Sequence, residues 1–250
     1  MSSSDFSEPT IGAEAAVHRA VEALKESGSI ADGNTAEALR QARTFFASQG
    51  SYAQAAICAL HLGDLAWNQN DAVAAQEYYE IARSEFELVK MDRQVADSNM
   101  NLAMVLWSGG DLAQARALYL DALAYYTEND LAHEAASAKV SLAAVHESLE
   151  EFDLALAAYQ DALQYYEDAE SERRIGQCLL GIGRVLLNAN DFEAAEPYFV
   201  AASHGFKQRR QQHQFGECMV ALADIYHALG RNDDARTAFE EARNVFAISQ

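Results

Sequence analysis

Cysteine and histidine are the residues of this 250-residue chain best suited to ligate a metal or attack a substrate. The three cysteines, Cys58, Cys178 and Cys218, lie far apart and form no CxxC pair, so they predict neither a disulfide framework nor a zinc site. The seven histidines show no HExxH or similar metal-ligand spacing. We therefore expect no metal and no cofactor.

Motifs for catalysis are also missing from the sequence. There is no glycine-rich loop between a strand and a helix, no GxSxG elbow and no Walker-type segment. The adjacent carboxylates Glu150 and Glu151 have the right chemistry for acid–base catalysis, but they fall at a turn, where acidic side chains cap helices. The sequence therefore predicts a protein that is not an enzyme.

The charge balance bears on the class of partner. Against 18 basic side chains stand 38 acidic ones, and the resulting net charge of −20 would repel a nucleic acid backbone. The N-terminal MSSSDFSEPT has no basic segment followed by an apolar run, and no later stretch is apolar enough to span a membrane. We expect a soluble, cytoplasmic protein whose partners are neither nucleic acids nor membranes.

The secondary structure that would position the cysteines and other candidate side chains can be inferred from an internal repeat. The chain matches itself every 40 residues from Ser51 onward, and we number the positions of each repeat as columns, with Ser51 in column 1. Columns 12 and 15 are aliphatic, columns 25 and 32 are alanine, and columns 29 and 36 are aromatic. The aromatic columns hold Tyr79, Tyr119, Tyr159, Phe199 and Phe239, followed by Phe86, Tyr126, Tyr166, Phe206 and Phe246.

These spacings predict helices. In the second half of each repeat the apolar columns are separated by four, three and four residues, which places them on one helical face. Between the two halves lie turn signals such as Asn70-Asp71, Gly110-Asp111 and Asn190-Asp191, which end one helix and cap the next. Each repeat is therefore predicted to be a helical hairpin in an all-α fold.

The repeat resembles the tetratricopeptide repeat (TPR) family, in a long-helix, 40-residue variety. Leu62-Gly63 and Ile182-Gly183 match its Leu-Gly pair, and the Gly-Asp turn and the order of alanine, aromatic and alanine recur. The resemblance implies a right-handed superhelical solenoid of antiparallel helix hairpins. It covers five repeats (51–90, 91–130, 131–170, 171–210, 211–250). Residues 11–50 are predicted to form a degenerate first hairpin, because Ala42, Phe45 and Phe46 fall near the expected columns, and the serine-rich residues 1–10 a disordered tail.

The cysteines share column 8, where the other two repeats have Ser98 and Ala138. A column restricted to small side chains indicates packing rather than reactivity, because a free cysteine behaves as a small hydrophobe.

The family resemblance also implies where a partner would bind. In this family the first helices of the hairpins line a concave groove, and columns 7, 10, 14 and 17 are predicted to face it, with Asp97, Gln177 and Glu217 in column 7 as possible polar guides. Column 10 is apolar throughout, which fits either packing between neighbouring first helices or an apolar floor for a partner. The two tryptophans in column 17 form a candidate hot spot. The candidate contacts are Leu60, Asp64, Trp67, Met100, Asn101, Met104, Trp107, Leu180, Arg184, Asp224 and His227.

The chemistry of the partner follows from the charges near that groove. Of the positions that form a carboxylate clamp in some family members, only Asn101 matches, so a free C-terminal carboxylate is not the expected ligand. Acidic residues around the groove predict a protein or peptide with basic residues flanking apolar anchors. The leading hypothesis is a monomeric adaptor or scaffold. The alternatives are a peptide-sensing regulator whose curvature changes on binding, and a self-assembling module.

Overall fold

The computed structural model describes residues 33–248 of the chain. The proposed tail (1–10) and the first part of the degenerate hairpin (11–50) lie outside these residues. Between residues 33 and 248 the chain forms eleven α-helices joined by short turns and no strand, as the repeat pattern predicts. None of these helices combines the length and the apolar character that crossing a bilayer requires.

The helices recur every twenty residues. The first described helix, α1, has 16 residues, and the ten that follow have 17 each, so two helices fill one 40-residue repeat. Their bounds are α1 Gly33–Ser48, α2 Tyr52–Asn68, α3 Ala72–Leu88, α4 Asp92–Ser108, α5 Leu112–Glu128, α6 Ala132–Ser148, α7 Phe152–Asp168, α8 Glu172–Asn188, α9 Phe192–Gln208, α10 Gln212–Ala228 and α11 Asn232–Ile248.

Every turn between two helices contains one residue in the left-handed region, at an interval of twenty residues. Three of these residues are the glycines 50, 110 and 230, for which a positive φ carries no steric cost. The other seven carry side chains, with φ between 52° and 62°: Asn70, Lys90, Asp130, Glu150, Glu170, Asn190 and Arg210. The turn geometry is therefore constant while the residue that adopts it varies.

Aspartate caps the second helix of three hairpins, as the sequence indicates. The carboxylates of Asp71, Asp111 and Asp191 accept hydrogen bonds from backbone N–H groups three residues later, at 3.1–3.2 Å. Glu151 occupies the same column but does not cap α7; its carboxylate instead lies 2.5 Å from Nδ1 of His146. The α9 helix continues through Pro197 without interruption.

The described residues fall into two compact units, which we treat separately. In the N-terminal unit, which ends at Asn129, helices α1 to α5 pack against their neighbours in chain order. Its core consists mainly of alanines, the aliphatic columns 12 and 15 and the aromatic columns, with Tyr79 and Phe86 almost completely buried. Residues of α1 also fall on the core columns, since Leu39, Ala42 and Phe46 are buried against α2.

The C-terminal unit, from Asp130 onward, contains helices α6 to α11, which also pack in chain order. Close helix packing here depends on small residues. A Cβ atom added to Gly183 would lie 3.0 Å from ring carbons of Phe199 in the same hairpin, and one added to Gly181 would lie 2.5 Å from Cζ of Tyr159 in the preceding hairpin. The two glycines therefore allow α8 to lie directly on the rings of Tyr159 and Phe199.

Candidate functional site

The N-terminal unit places seven of the candidate contacts on its two described first helices. Trp67 lies near the end of α2 and is half-buried, and Trp107 lies near the end of α4 with 38% of its surface exposed. Leu60 packs against a core cluster that contains Ala56, Ala59, Ala82 and Phe86. The remaining residues on α4, namely Met100, Asn101 and Met104, are half-buried.

One of these candidates, Asp64, has an internal partner. The hydroxyl of Tyr79 on α3 donates a 2.9 Å hydrogen bond to the Asp64 carboxylate on α2. Burial, together with the negative charge of Asp64, raises the pKa of Tyr79. A second pair repeats the arrangement in the next hairpin, where the Tyr126 hydroxyl donates to the Asp97 carboxylate at 2.7 Å. Both carboxylates therefore hold the two helices of their own hairpin together.

The C-terminal unit contains a cavity of about 340 Å³ on its first-helix face. Helices α8 and α10 supply most of its lining, and one aromatic side chain from each of α9 and α11 completes it. The apolar part comprises five hydrophobic residues and one alanine: Leu180, Leu187, Phe199, Val220, Ala221 and Phe246. The polar part comprises Arg184, Glu217 and Asp224. We refer to this cavity as the α8–α10 cavity.

Three sequence candidates thus meet in one place, since Leu180, Arg184 and Asp224 all line this cavity. Val220 in column 10 is 37% exposed there, whereas Leu180 in the same column is half-buried and also packs against the core. The packing interpretation of column 10 therefore fits Leu180, whereas Val220 leaves apolar surface in the cavity, and its use by a partner stays a prediction. His227 is exposed at the end of α10 and lies 3.3 Å from Asn232 Oδ1, outside the cavity.

The positive charge of Arg184 is already neutralised within the chain. Its guanidinium donates two hydrogen bonds to Glu147 on α6, at 2.9 and 2.5 Å, and Asn188 donates a third to the same carboxylate at 3.1 Å. The Glu147 side chain is only 11% exposed. These hydrogen bonds raise the pKa of Arg184 and keep it charged. Arg184 therefore ties α6 to α8 and leaves the cavity with two carboxylates.

The cysteines show no sign of a reactive site. Cys58, Cys178 and Cys218 are completely buried, and Ser98 and Ala138 in the same column are buried as well. Burial raises the pKa of Cys58 to about 11 and those of Cys178 and Cys218 to about 12, so the thiolate form is scarce at neutral pH. No group of three or more metal-ligating side chains occurs within residues 33–248.

Sequence reasoning missed the aromatic floor of the cavity and the internal partners of the acidic residues. Phe199 and Phe246 were assigned to the core columns, although both also line the cavity. The pairs Asp64–Tyr79 and Asp97–Tyr126 join residues that are 15 and 29 positions apart. The sequence did contain a signal for these pairs, because the repeat with Asp64 has Tyr79 in column 29 and the repeat with Asp97 has Tyr126 in column 36.

Comparison with known proteins supports the fold. Several solved structures share it at low sequence identity, among them BtubC (BKLC) from P. vanneervenii, with a TM-score of 0.70, 18% identity and coverage of 98% of this chain and 93% of that one. The apo form of RapI has a TM-score of 0.74 and 12% identity, with coverage of 94% of this chain and 98% of that one. The Rap conjugation gene regulator of plasmid pLS20 in complex with the Phr* peptide has a TM-score of 0.65 and 19% identity, with coverage of 78% of this chain and 55% of that one. A search of curated proteins finds no match.

A family model covers most of the repeat array. The model described as the MalT-like TPR region matches residues 87–250, which is well over half of the chain. The helical hairpins, the aromatic and alanine columns and the solved structures of similar fold agree with this match. The chain belongs to the family of the MalT-like TPR region.

Proposed function

We propose that this protein is an adaptor that binds a peptide or an exposed segment of another protein on its first-helix face. The observation that carries the proposal is the α8–α10 cavity, in which apolar side chains that the core does not fully cover lie beside two carboxylates. Sites of this kind bind a partner through an apolar anchor and use the charged rim for selectivity.

The partner that fits this chemistry has basic residues flanking an apolar anchor. Leu180, Leu187 and Val220 offer apolar surface to the anchor, and Asp224 and Glu217 offer negative charge to its flanks. Trp67 and Trp107 in the N-terminal unit provide a second candidate contact region of the aromatic type that is common at binding hot spots. The solved Rap regulator bound to the Phr* peptide supports peptide binding as a use of this fold.

A peptide library tests the proposal and does not require that the natural partner be identified first. The full chain is immobilised, peptides are selected from a random displayed library, and the affinity of each selected peptide is measured by isothermal titration calorimetry. We expect Val220→Arg to abolish binding at the cavity, because it places a bulky cation on the apolar floor. Trp67→Ala with Trp107→Ala tests the N-terminal unit in the same way.

The matched control is Val200→Arg on α9. Val200 is 44% exposed, against 37% for Val220, but it does not line the cavity. Both arginine variants should melt at similar temperatures, and only Val220→Arg should lose the selected peptides. If peptides bind the native chain, the Val220→Arg variant and the tryptophan double variant equally well, the first-helix face is not the binding surface and the proposal is wrong.

A further inference from the structure

The last repeat differs from earlier repeats in what its carboxylates contact. Asp224 occupies the same column as Asp64, and Phe239 occupies the same column as Tyr79, the partner of Asp64. A phenylalanine has no hydroxyl group, so it cannot donate the hydrogen bond that Tyr79 provides. Within residues 33–248, Asp224 takes part in no ion pair or side-chain hydrogen bond.

The second carboxylate of the cavity shows the same substitution. Glu217 occupies the column of Asp97, and Phe246 occupies the column of Tyr126, whose hydroxyl binds Asp97. Glu217 pairs instead with His213, at 3.5 Å, in an exposed contact one helical turn apart. Such a pair contributes little, because both groups remain solvated.

The last repeat thus keeps two acidic residues and lacks both phenols that would have bound them. In the hairpins that contain Asp64 and Asp97 the carboxylate holds two helices together, whereas Glu217 and Asp224 project their charge into the α8–α10 cavity. The neighbouring Arg184 also interacts electrostatically with Glu217, but its hydrogen bonds go to Glu147, which binds it at two atoms.

The distance between the carboxylates of Glu217 and Asp224 sets the spacing of the basic residues that a bound peptide would need. Glu217 and Asp224 are seven residues apart on α10, which is about 10.5 Å along the helix axis. Val220 and Ala221 lie between them and line the apolar part of the cavity. In an extended peptide of the polyproline II type, each residue advances about 3.1 Å and every third side chain points the same way, so the same distance corresponds to about three residues.

We propose that the α8–α10 cavity recognises an extended peptide segment with two basic residues about three positions apart and an apolar side chain between them. The two basic side chains pair with Glu217 and Asp224, and the apolar side chain rests on Leu180 and Val220. This inference rests on the proposed function and specifies which peptides the site accepts.

The test uses a fluorescein-labelled probe of sequence Ser-Lys-Ala-Leu-Lys-Ser and the full chain, with the dissociation constant measured by fluorescence anisotropy. Two further probes replace both lysines by glutamate, or the leucine by serine. We expect the lysine–leucine probe to bind most tightly and the glutamate probe not to bind. If the glutamate probe binds as tightly as the lysine probe, the proposal is overturned.

Variants of the protein locate the binding. Glu217→Gln with Asp224→Asn should weaken binding of the lysine–leucine probe by roughly tenfold or more. The control pair Glu77→Gln and Glu167→Gln removes the same number of charges from exposed positions on α3 and α7, and should change the affinity by less than about twofold. An equal loss of affinity in both double variants would show that net charge alone attracts the probe, contrary to the proposal.

A third variant tests the role of the phenylalanines while both carboxylates remain. Phe239→Tyr with Phe246→Tyr restores the two phenols found in earlier repeats, so each carboxylate gains an internal hydrogen-bond donor. We expect binding to weaken by roughly three- to tenfold with no loss of thermal stability. Unchanged affinity would overturn the inference that these phenylalanines free the two carboxylates.

The outcomes also separate this inference from the proposed function. If the lysine–leucine probe does not bind while Val220→Arg still abolishes binding of library-selected peptides, the basic pattern is wrong and the proposed function stands. If neither Val220→Arg nor the tryptophan double variant affects the selected peptides either, the first-helix face is not the binding surface and both fail. A helical probe with lysines seven residues apart that binds better than the extended probe would overturn the extended geometry.

Discussion

Individual side chains in this protein take their chemistry from burial. The three cysteine thiols lie in one column of small residues, where no water reaches them, and their pKa values rise to about 11 or 12. The aspartates 64 and 97 act as hydrogen-bond acceptors for buried phenols rather than as free charges. The acidic residues Glu217 and Asp224, by contrast, line a cavity, and their repeat has Phe239 and Phe246 in the two aromatic columns where Tyr79 and Tyr126 bind the earlier aspartates.

The buried thiols predict how stability depends on pH. An unfolded cysteine loses its proton near pH ~8.5, whereas the folded thiols keep theirs up to pH 11 or 12. Above pH ~8.5 the unfolded state therefore binds fewer protons than the folded state, and the free energy of unfolding falls as pH rises. We expect a decrease on the order of 1 kcal/mol per pH unit for each thiol above pH ~9.

Urea unfolding at pH 8 and at pH 10 measures this effect. The comparison is the triple variant Cys58→Ala, Cys178→Ala and Cys218→Ala, for which Ala138 in the same column shows that alanine fits. Its unfolding free energy should depend much less on pH over this interval. An identical decrease in the native chain and the triple variant would show that the thiols are not responsible.

At the scale of the helices, the twenty-residue period depends on a turn that always requires one left-handed residue. Glycine meets this requirement at three turns, and asparagine, which tolerates the conformation better than most residues, meets it at two. Lysine, glutamate and arginine occupy other turns, where Cβ crowds the backbone. The turn geometry persists because the helices on either side pack into the core.

Glycine at those turns should therefore stabilise the protein. We expect Glu170→Gly, at φ 52°, to raise the free energy of unfolding by about 0.5–1 kcal/mol. The gain is limited because glycine also increases the entropy of the unfolded chain. The reverse change, Gly110→Ala at φ 86°, should destabilise by a similar amount. Thermal melts of both variants measure the effect, and a lower melting temperature for Glu170→Gly would contradict it.

At the scale of the whole molecule, the net charge of −20 affects how a partner arrives. A field of one sign attracts a cationic peptide before any contact forms, and salt screens it. For the proposed peptide complex we therefore expect charge to act on the rate of association and the apolar contacts in the cavity to govern how long the complex lasts.

Stopped-flow fluorescence with the lysine–leucine probe tests this division. Between about 20 and 500 mM NaCl we expect the association rate constant to fall roughly tenfold, with a much smaller change in the dissociation rate constant. The probe in which serine replaces leucine should show the same salt dependence of association but dissociate faster. An association rate that salt does not affect would show that long-range charge has no role.

Much of the fold could be predicted from the sequence because its rules act over short distances. The spacing of four, three and four residues among the apolar columns requires a helical face, and the residues at positions such as Asn70-Asp71 and Gly110-Asp111 end and cap helices through contacts within one turn. A 40-residue repeat then determines that each hairpin packs against others like it. The family and the all-α fold follow from these local patterns.

Only the tertiary structure decided which polar side chains have a hydrogen-bond partner within the chain. The partners of Asp64 and Arg184 lie 15 and 37 residues away, and only packed helices bring the atoms within hydrogen-bonding distance. The sequence placed Asp64, Arg184 and Asp224 in one column with equivalent prospects as contacts. Packing supplies internal partners for the first two and exposes the third in a cavity, because the distance between side chains on different helices is not encoded in local periodicity.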